Sequence, residues 1–150
     1  MQVSRSIVLP TRIEEAWSVL TDWERQADWM RDADRVDVVT EHREGVGVGI
    51  AVRTRVYGVP VFTERLEVLA WDPPRRLVMG HRSFVGGTGT WILEPVDAGT
   101  RFTWIEDLSL PLPVVGEIAL AVYRPFMRWL MGTAMADLGR FIVAIGPARS

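Results

Sequence analysis

The stretch Val114–Ile145, VVGEIALAVYRPFMRWLMGTAMADLGRFIVAI, decides the fold. As a helix of about thirty residues it is roughly 45 Å long at 1.5 Å per residue, enough to cross a whole small domain. Ala119, Val122, Phe126, Trp129, Leu130 and Thr133 gather near one face, with Glu117, Arg124 and Arg128 opposite. That spacing predicts an amphipathic helix laid on an apolar surface. Two irregularities stand out. Pro125 removes a backbone donor and favours a kink, and beyond Gly132 the apolar stripe changes phase to Leu138, Phe141, Ile142 and Ile145.

The surface for that helix lies upstream. Gln2–Leu9 alternates and stops at Pro10, the pattern of a strand. Thr11-Arg12-Ile13-Glu14 has the spacing of a capping box, with Thr11 as N-cap of a helix whose face is Ile13, Trp17 and Leu20. Asp22 is placed to cap a second short helix carrying Trp23, Ala27 and Met30, ended by Arg31-Asp32-Ala33-Asp34. From Arg35 to Leu110 the period is two and predicts six strands: Arg35–Glu41, Val46–Tyr57, Val59–Ala70, Arg75–Ser83, Gly87–Glu94 and Thr100–Leu110. Trp71-Asp72-Pro73-Pro74 and Asp97-Ala98-Gly99 are turns, and Pro111 and Pro113 end the sheet. Short turns between consecutive strands imply an antiparallel sheet, and only the last helix is long enough to cover one of its faces. The 150 residues read as a single α+β domain without linker or repeat.

Composition narrows the function. No Cys is present, which excludes disulfides, thiolate metal sites and a Cys nucleophile. A net charge of -2, with basic residues scattered rather than clustered, gives no electrostatic reason to bind nucleic acid. The N-terminus lacks the apolar core of a signal peptide, and the most apolar window, Pro111–Tyr123, is too short to span a bilayer. The expectation is a cytoplasmic protein without membrane insertion.

These elements and their punctuation resemble the helix-grip fold of the START-like superfamily, and more narrowly the polyketide cyclase/dehydrase and lipid-transport proteins, relatives of the plant pathogenesis-related allergens. The resemblance rests on Leu9-Pro10-Thr11 through Ala16-Trp17, Leu20-Thr21-Asp22, Trp29-Met30, Gly45-Val46-Gly47, Trp71-Asp72-Pro73-Pro74-Arg75-Arg76-Leu77 and Gly99-Thr100-Arg101-Phe102-Thr103-Trp104. The proline inside the last helix, followed by Asp137-Leu138, fits as well. It implies a hydrophobic cavity between a curved seven-stranded sheet and the C-terminal helix, and no cofactor. It transfers no catalytic motif.

Period two assigns the faces independently of any family. Phe102, Trp104, Glu106 and Leu108 share one side of the last strand, matched by Gly89, Trp91 and Leu93, by Leu77, Met79, His81 and Ser83, and by Phe62, Glu64, Leu66 and Val68. Three ionisable residues, Glu64, His81 and Glu106, therefore fall on the inner face. A lone buried carboxylate is expensive, so each needs a partner, neutrality or water. Structural pairing accounts for such groups in most proteins; the sharper reading makes them a polar anchor, with His81 and Glu106 able to move protons. Trp91, Trp104, Phe126 and Trp129 read first as core and otherwise as a pocket wall, and the glycines at 47, 49, 87 and 89 remove volume opposite them. Gly45-Val46-Gly47-Val48-Gly49 is not a dinucleotide loop, because the strand period runs through it and no helix follows; it is closer to the glycine-rich loop at the cavity mouth of the plant relatives. His42, between Glu41 and Glu44, reads as a solvated pair without a metal role.

Three functions compete. The first is a carrier of a hydrophobic small molecule of lipid, polyketide or isoprenoid type, lined by Glu64, Met79, His81, Trp91, Trp104, Glu106, Tyr123, Phe126 and Leu130. The second is an aromatase/cyclase or dehydratase using His81 and Glu106 as acid and base. The third is an interaction module whose helix ends bind a partner or form a homodimer. Under the first two, Ala119–Thr133 roofs the cavity, Leu138 to Ile145 anchors the helix, and Pro125 and Gly132 permit a bend between them.

Overall fold

The computed structural model describes residues 1–56 and 59–145. Strand β1 (Gln2–Leu9) is followed by α1 (Ile13–Leu20), a 3-10 turn (Trp23–Asp28), then β2 (Ala33–Val38), β3 (Gly49–Val56), β4 (Val59–Asp72), β5 (Arg76–His81), β6 (Gly86–Val96), β7 (Gly99–Ser109) and α2 (Pro113–Ile145). The seven strands form one antiparallel sheet in the order β1-β7-β6-β5-β4-β3-β2. From β2 onward each strand pairs with the next, as short connections dictate. β1 closes on β7, from Gln2↔Asp107 to Leu9↔Thr100. The two short helical elements thus carry the chain from one edge of the sheet to the other.

Local details correct several boundaries. The capping box does not form: Arg12 is the N-cap of α1, and no side chain caps it. The Thr11 carbonyl instead accepts a hydrogen bond from Thr100 Oγ1 at 2.8 Å, tying the entry of α1 to β7. α1 is held by burial of Ile13, Ala16 and Leu20, three residues on one face, with Glu14 and Glu15 favourably placed in its first turn. The second short helix is a 3-10 turn, and Asp22 makes no cap bond to it. β3 starts at Gly49 rather than Val46, because Gly45 and Gly47 adopt φ of +92° and bend the chain there. The expected end of that strand at Tyr57 lies outside the described residues.

The faces follow the period-two reading closely. Phe102, Trp104, Glu106 and Leu108 on β7, Trp91 and Leu93 on β6, and Leu77 and Met79 on β5 are all buried. Bulges fall at Ala33/Arg35, Thr54/Arg55 and Val68/Ala70, so none comes between the inner residues of β5, β6 and β7. Ser83 lies past the end of β5 and is exposed, and on β4 the exception is Phe62. It is 48% exposed, and Val59 and Val61 beside it are exposed too, because the first residues of β4 have both faces open to water.

The long helix departs most from expectation. α2 runs without interruption from Pro113 to Ile145 through Pro125. Its buried face is Gly116, Leu120, Met131, Ala134, Met135, Leu138 and Ile142, a single stripe with helical spacing and no phase change. Val122, Phe126 and Trp129, expected to roof the cavity, are exposed. The first half of the helix therefore carries two apolar stripes, and the conspicuous one is the outer. Gly132 is a close-packing point: a Cβ there would come within 2.8 Å of the Arg5 guanidinium.

This asymmetry is testable by equilibrium denaturation. Leu138→Ala, fully buried, should cost about 2–5 kcal/mol. Val122→Ala, 75% exposed, should stay within about 0.5 kcal/mol of the parent in protein dilute enough to be monomeric. Equal losses would mean that both stripes pack inward.

Candidate functional site

The inner face of the sheet and the middle of α2 enclose a cavity of about 120 Å³. Its sheet wall comes from β2 to β7, and its helix wall from Met127, Leu130, Met131 and Ala134. Four methionines, Met30, Met79, Met127 and Met131, line it together with Trp91 and Trp104. Methionine is unbranched and readily changes shape, so these walls can adapt. Trp104 meets Trp91 edge to face, with ring centroids 6.0 Å apart, and Trp91 meets Phe102 in the same way. The aromatic side of the cavity is therefore fixed by interlocked rings.

One charged cluster interrupts the apolar lining. His81 lies between two carboxylates: its Nδ1–H donates to Glu64 Oε1, and its Nε2–H donates to Glu106 Oε2 at 2.9 Å. Trp104 Nε1–H donates to the other oxygen, Glu106 Oε1, at 2.7 Å. The three residues come from β4, β5 and β7, and β6 lies between the last two. Gly89 of β6, paired with Met79 on one side and Glu106 on the other, lets Glu106 lean across. A Cβ at position 89 would stand 2.9 Å from Glu106 Oε1. The missing side chain is thus what allows the chain of hydrogen bonds to close.

Burial alone would depress the His81 pKa, but hydrogen bonds to Glu106 and Glu64 and their negative charges outweigh it and push it up to about 10. The ring is an imidazolium, with both N–H groups committed. Asp32, just before β2, lines the same cavity. Burial lifts its carboxyl above the usual range, and the charges of Glu64 and Glu106 add to the effect. The cavity lining contains three carboxylic acids, one imidazolium and neither Arg nor Lys among the described residues.

Of the nine expected lining residues, Glu64, Met79, His81, Trp91, Trp104, Glu106 and Leu130 surround the cavity. Tyr123 and Phe126 are exposed and outside its lining: Phe126 lies on the outer side of α2, whereas Tyr123 precedes Met127 and Leu130 by four and seven residues on the cavity side. Partial burial nevertheless raises the Tyr123 phenol, and the charges of Asp32 and Glu64 add to it. Asp32, Gln26 and the methionines of α2 were missed. Gln26 is buried, and its Nε2 donates to the Leu20 carbonyl at 2.9 Å. The glycine-rich turn does not line the cavity; the Gly47 N–H donates to the Val68 carbonyl, bracing the loop against β4. His42 Nε2 lies 3.3 Å from the Val46 carbonyl, and no group of acids and histidines suited to a metal occurs among the described residues. No helix among the described residues is long and apolar enough to cross a membrane.

Solved structures share this architecture. The protein TTHA0849 from Thermus thermophilus superposes with a TM-score of 0.79 at 18% identity, over 97% of this chain and 99% of its own. The Zhui aromatase/cyclase from Streptomyces sp. R1128 gives 0.72 at 18% identity, over 97% and 98%. A START superfamily protein from Mycobacterium smegmatis gives 0.68 at 15% identity, over 93% and 92%. A long helix laid on a seven-stranded antiparallel sheet over a cavity gives the molecule the helix-grip fold that these structures share. The chain belongs to the polyketide cyclase/dehydrase and lipid transport family, whose profile matches residues 1–140. No curated protein sequence matches it.

The raised His81 pKa links the cluster to stability. A group protonated more tightly when folded adds stability that is fully present below its unfolded value of 6.5 and is lost as pH rises through about 10. Imidazole proton resonances of His81 should accordingly titrate near 10, and Glu106→Gln should bring the midpoint down. Gly89→Ala should do likewise by displacing Glu106, at a cost of about 1–3 kcal/mol. A His81 midpoint at or below 6.5 would mean a neutral ring and a different cluster.

Proposed function

We propose that the protein binds a hydrophobic small molecule whose polar end donates hydrogen bonds to the Glu64–His81–Glu106 cluster. The observation that supports this most directly is the placement of the cluster: a hydrogen-bonded charged group set into a cavity otherwise walled by methionine, tryptophan and aliphatic side chains. The Zhui relative is described as an aromatase/cyclase, and the family as one of cyclases, dehydrases and lipid transporters. Excess carboxylate over cation in the lining favours phenols, alcohols or amines over fatty acids. At about 120 Å³ the cavity takes a single ring or a few waters, whereas ligand pockets commonly run to about 300–1,000 Å³. A polyketide- or lipid-sized ligand therefore enters by moving the methionines of α2 aside.

Trp91 and Trp104 report on occupancy. Fused-ring phenols and long-chain amines should quench or shift tryptophan fluorescence saturably, and fatty acids of matching size should bind at least ~10-fold more weakly. His81→Ala should narrow that difference. A panel in which nothing binds, or in which carboxylates bind best, would count against the proposal.

A second reading follows from Glu64, whose other oxygen accepts no hydrogen bond from the described residues. His81 cannot serve as a base while both its nitrogens donate. Glu64 is better placed to take a proton from the carbon alpha to a ketone and to return it to a departing β-hydroxyl, releasing water. On this dehydratase reading, Glu64→Gln binds a β-hydroxyketone probe normally but loses about 100-fold or more in turnover. Undiminished turnover by that variant removes Glu64 from the role.

A further inference from the structure

The outer stripe of α2 faces away from the cavity and from the other elements among the described residues. Val115, Ile118, Val122, Phe126 and Trp129 are 67%, 60%, 75%, 46% and 55% exposed. At 100° per residue they lie within one narrow sector, opposite the buried face of Leu120, Met131, Ala134 and Leu138. Phe126 stacks on Trp129, with centroids 5.9 Å apart, so the aromatic end of the stripe is ordered. With Leu112 and Val114 the stripe presents on the order of 800 Å² of apolar surface, about the share one partner gives to a standard interface. Isolated proteins seldom leave that much contiguous apolar surface to water.

The spacing indicates what covers it. Along the helix the steps are three, four, four and three residues, so the stripe reads the same in both directions about Val122. Antiparallel pairing with an identical helix then sets Val122 against Val122, Ile118 against Phe126, and Val115 against Trp129. A two-fold interface requires that kind of self-matching, in which each residue meets a stripe residue of the other copy. Successive steps of three and four are also the spacing with which paired helices interdigitate. A bilayer is a poorer match. Glu117, Arg124 and Arg128 lie across the helix from the stripe, and the net charge is -2, so no basic rim draws this face to anionic lipid.

We infer that the protein is a two-fold dimer through the outer face of the first half of α2, with the axis passing beside Val122. The chain has no cysteine, so a single introduced one is an unambiguous reporter. Val122→Cys should form an intermolecular disulfide on mild oxidation. Arg140→Cys, on the same side of the helix but beyond the stripe, should not. Sedimentation velocity from micromolar to millimolar protein should show a dimer, and Val122→Arg should weaken it at least ~100-fold by placing two like charges at the axis. Circular dichroism and thermal melting check that the variant folds, and Val122→Ser serves as a milder second test. A monomer throughout that range overturns the inference, as does a dimer that Val122→Arg leaves intact. So does a monomer that sediments with phosphatidylcholine–phosphatidylglycerol vesicles, which would make the stripe a bilayer face.

Discussion

The interaction on which the interior depends is the clamp of one imidazolium between two carboxylates. A buried charge must be partnered, and removing one member of a buried pair costs about 3–5 kcal/mol because the other is left uncompensated. Here the partners sit on β4 and β7 and the imidazole on β5, so the clamp also fixes how these strands face the helix. It demands a gap, which Gly89 supplies, and a donor for the remaining Glu106 oxygen, which Trp104 supplies. Trp104 is in turn locked by Trp91, and Trp91 by Phe102. One electrostatic requirement thus propagates into the aromatic wall, and the volume above it is left for a guest.

Much of this was legible in the sequence because strands write their faces with period two. Glu64, His81 and Glu106 could be placed on one inner surface from alternation alone, since the bulge between β4 and β5 falls after Val68, beyond Glu64. Alternation could not say that the three would meet, because side-chain contact across β6 depends on register and on the absence of a side chain at Gly89. Asp32 escaped for a different reason. It precedes β2 in an aperiodic connection, where no pattern indicates which way a side chain points. The capping box failed because tertiary pairing of Thr11 with Thr100 decided where α1 begins.

The long helix shows the limit of periodicity most clearly. In its first half the outer stripe is built from Val, Ile, Phe and Trp, while the inner one is built from Gly116, Leu120, Met127 and Leu130. Bulk and hydrophobicity therefore point the wrong way, and the apparent change of phase at Gly132 is the hand-over from a conspicuous outer stripe to the true inner one. A helix that is apolar on two faces is ordinary when both are covered, and among the described residues only the inner one is covered.

The same distribution makes the two ends of α2 mechanically unequal. From Met131 onward a buried residue recurs at almost every turn, and Asp137 adds a hydrogen-bonded ion pair with Arg31 at 2.7 Å. Before Met131 only Gly116 and Leu120 are buried, so little apolar burial resists displacement of that half. Segments with few buried contacts open at lower free energy than the core to which they are attached. The part of the helix that roofs the cavity is therefore the part least committed to the sheet, and its inward side chains there are mainly methionine and leucine. A cavity too small for its expected guest and a roof held mainly at one end are consistent with each other: enlarging the pocket requires only the weakly anchored half to move, while the clamp beneath and the anchor beyond Met131 stay in place.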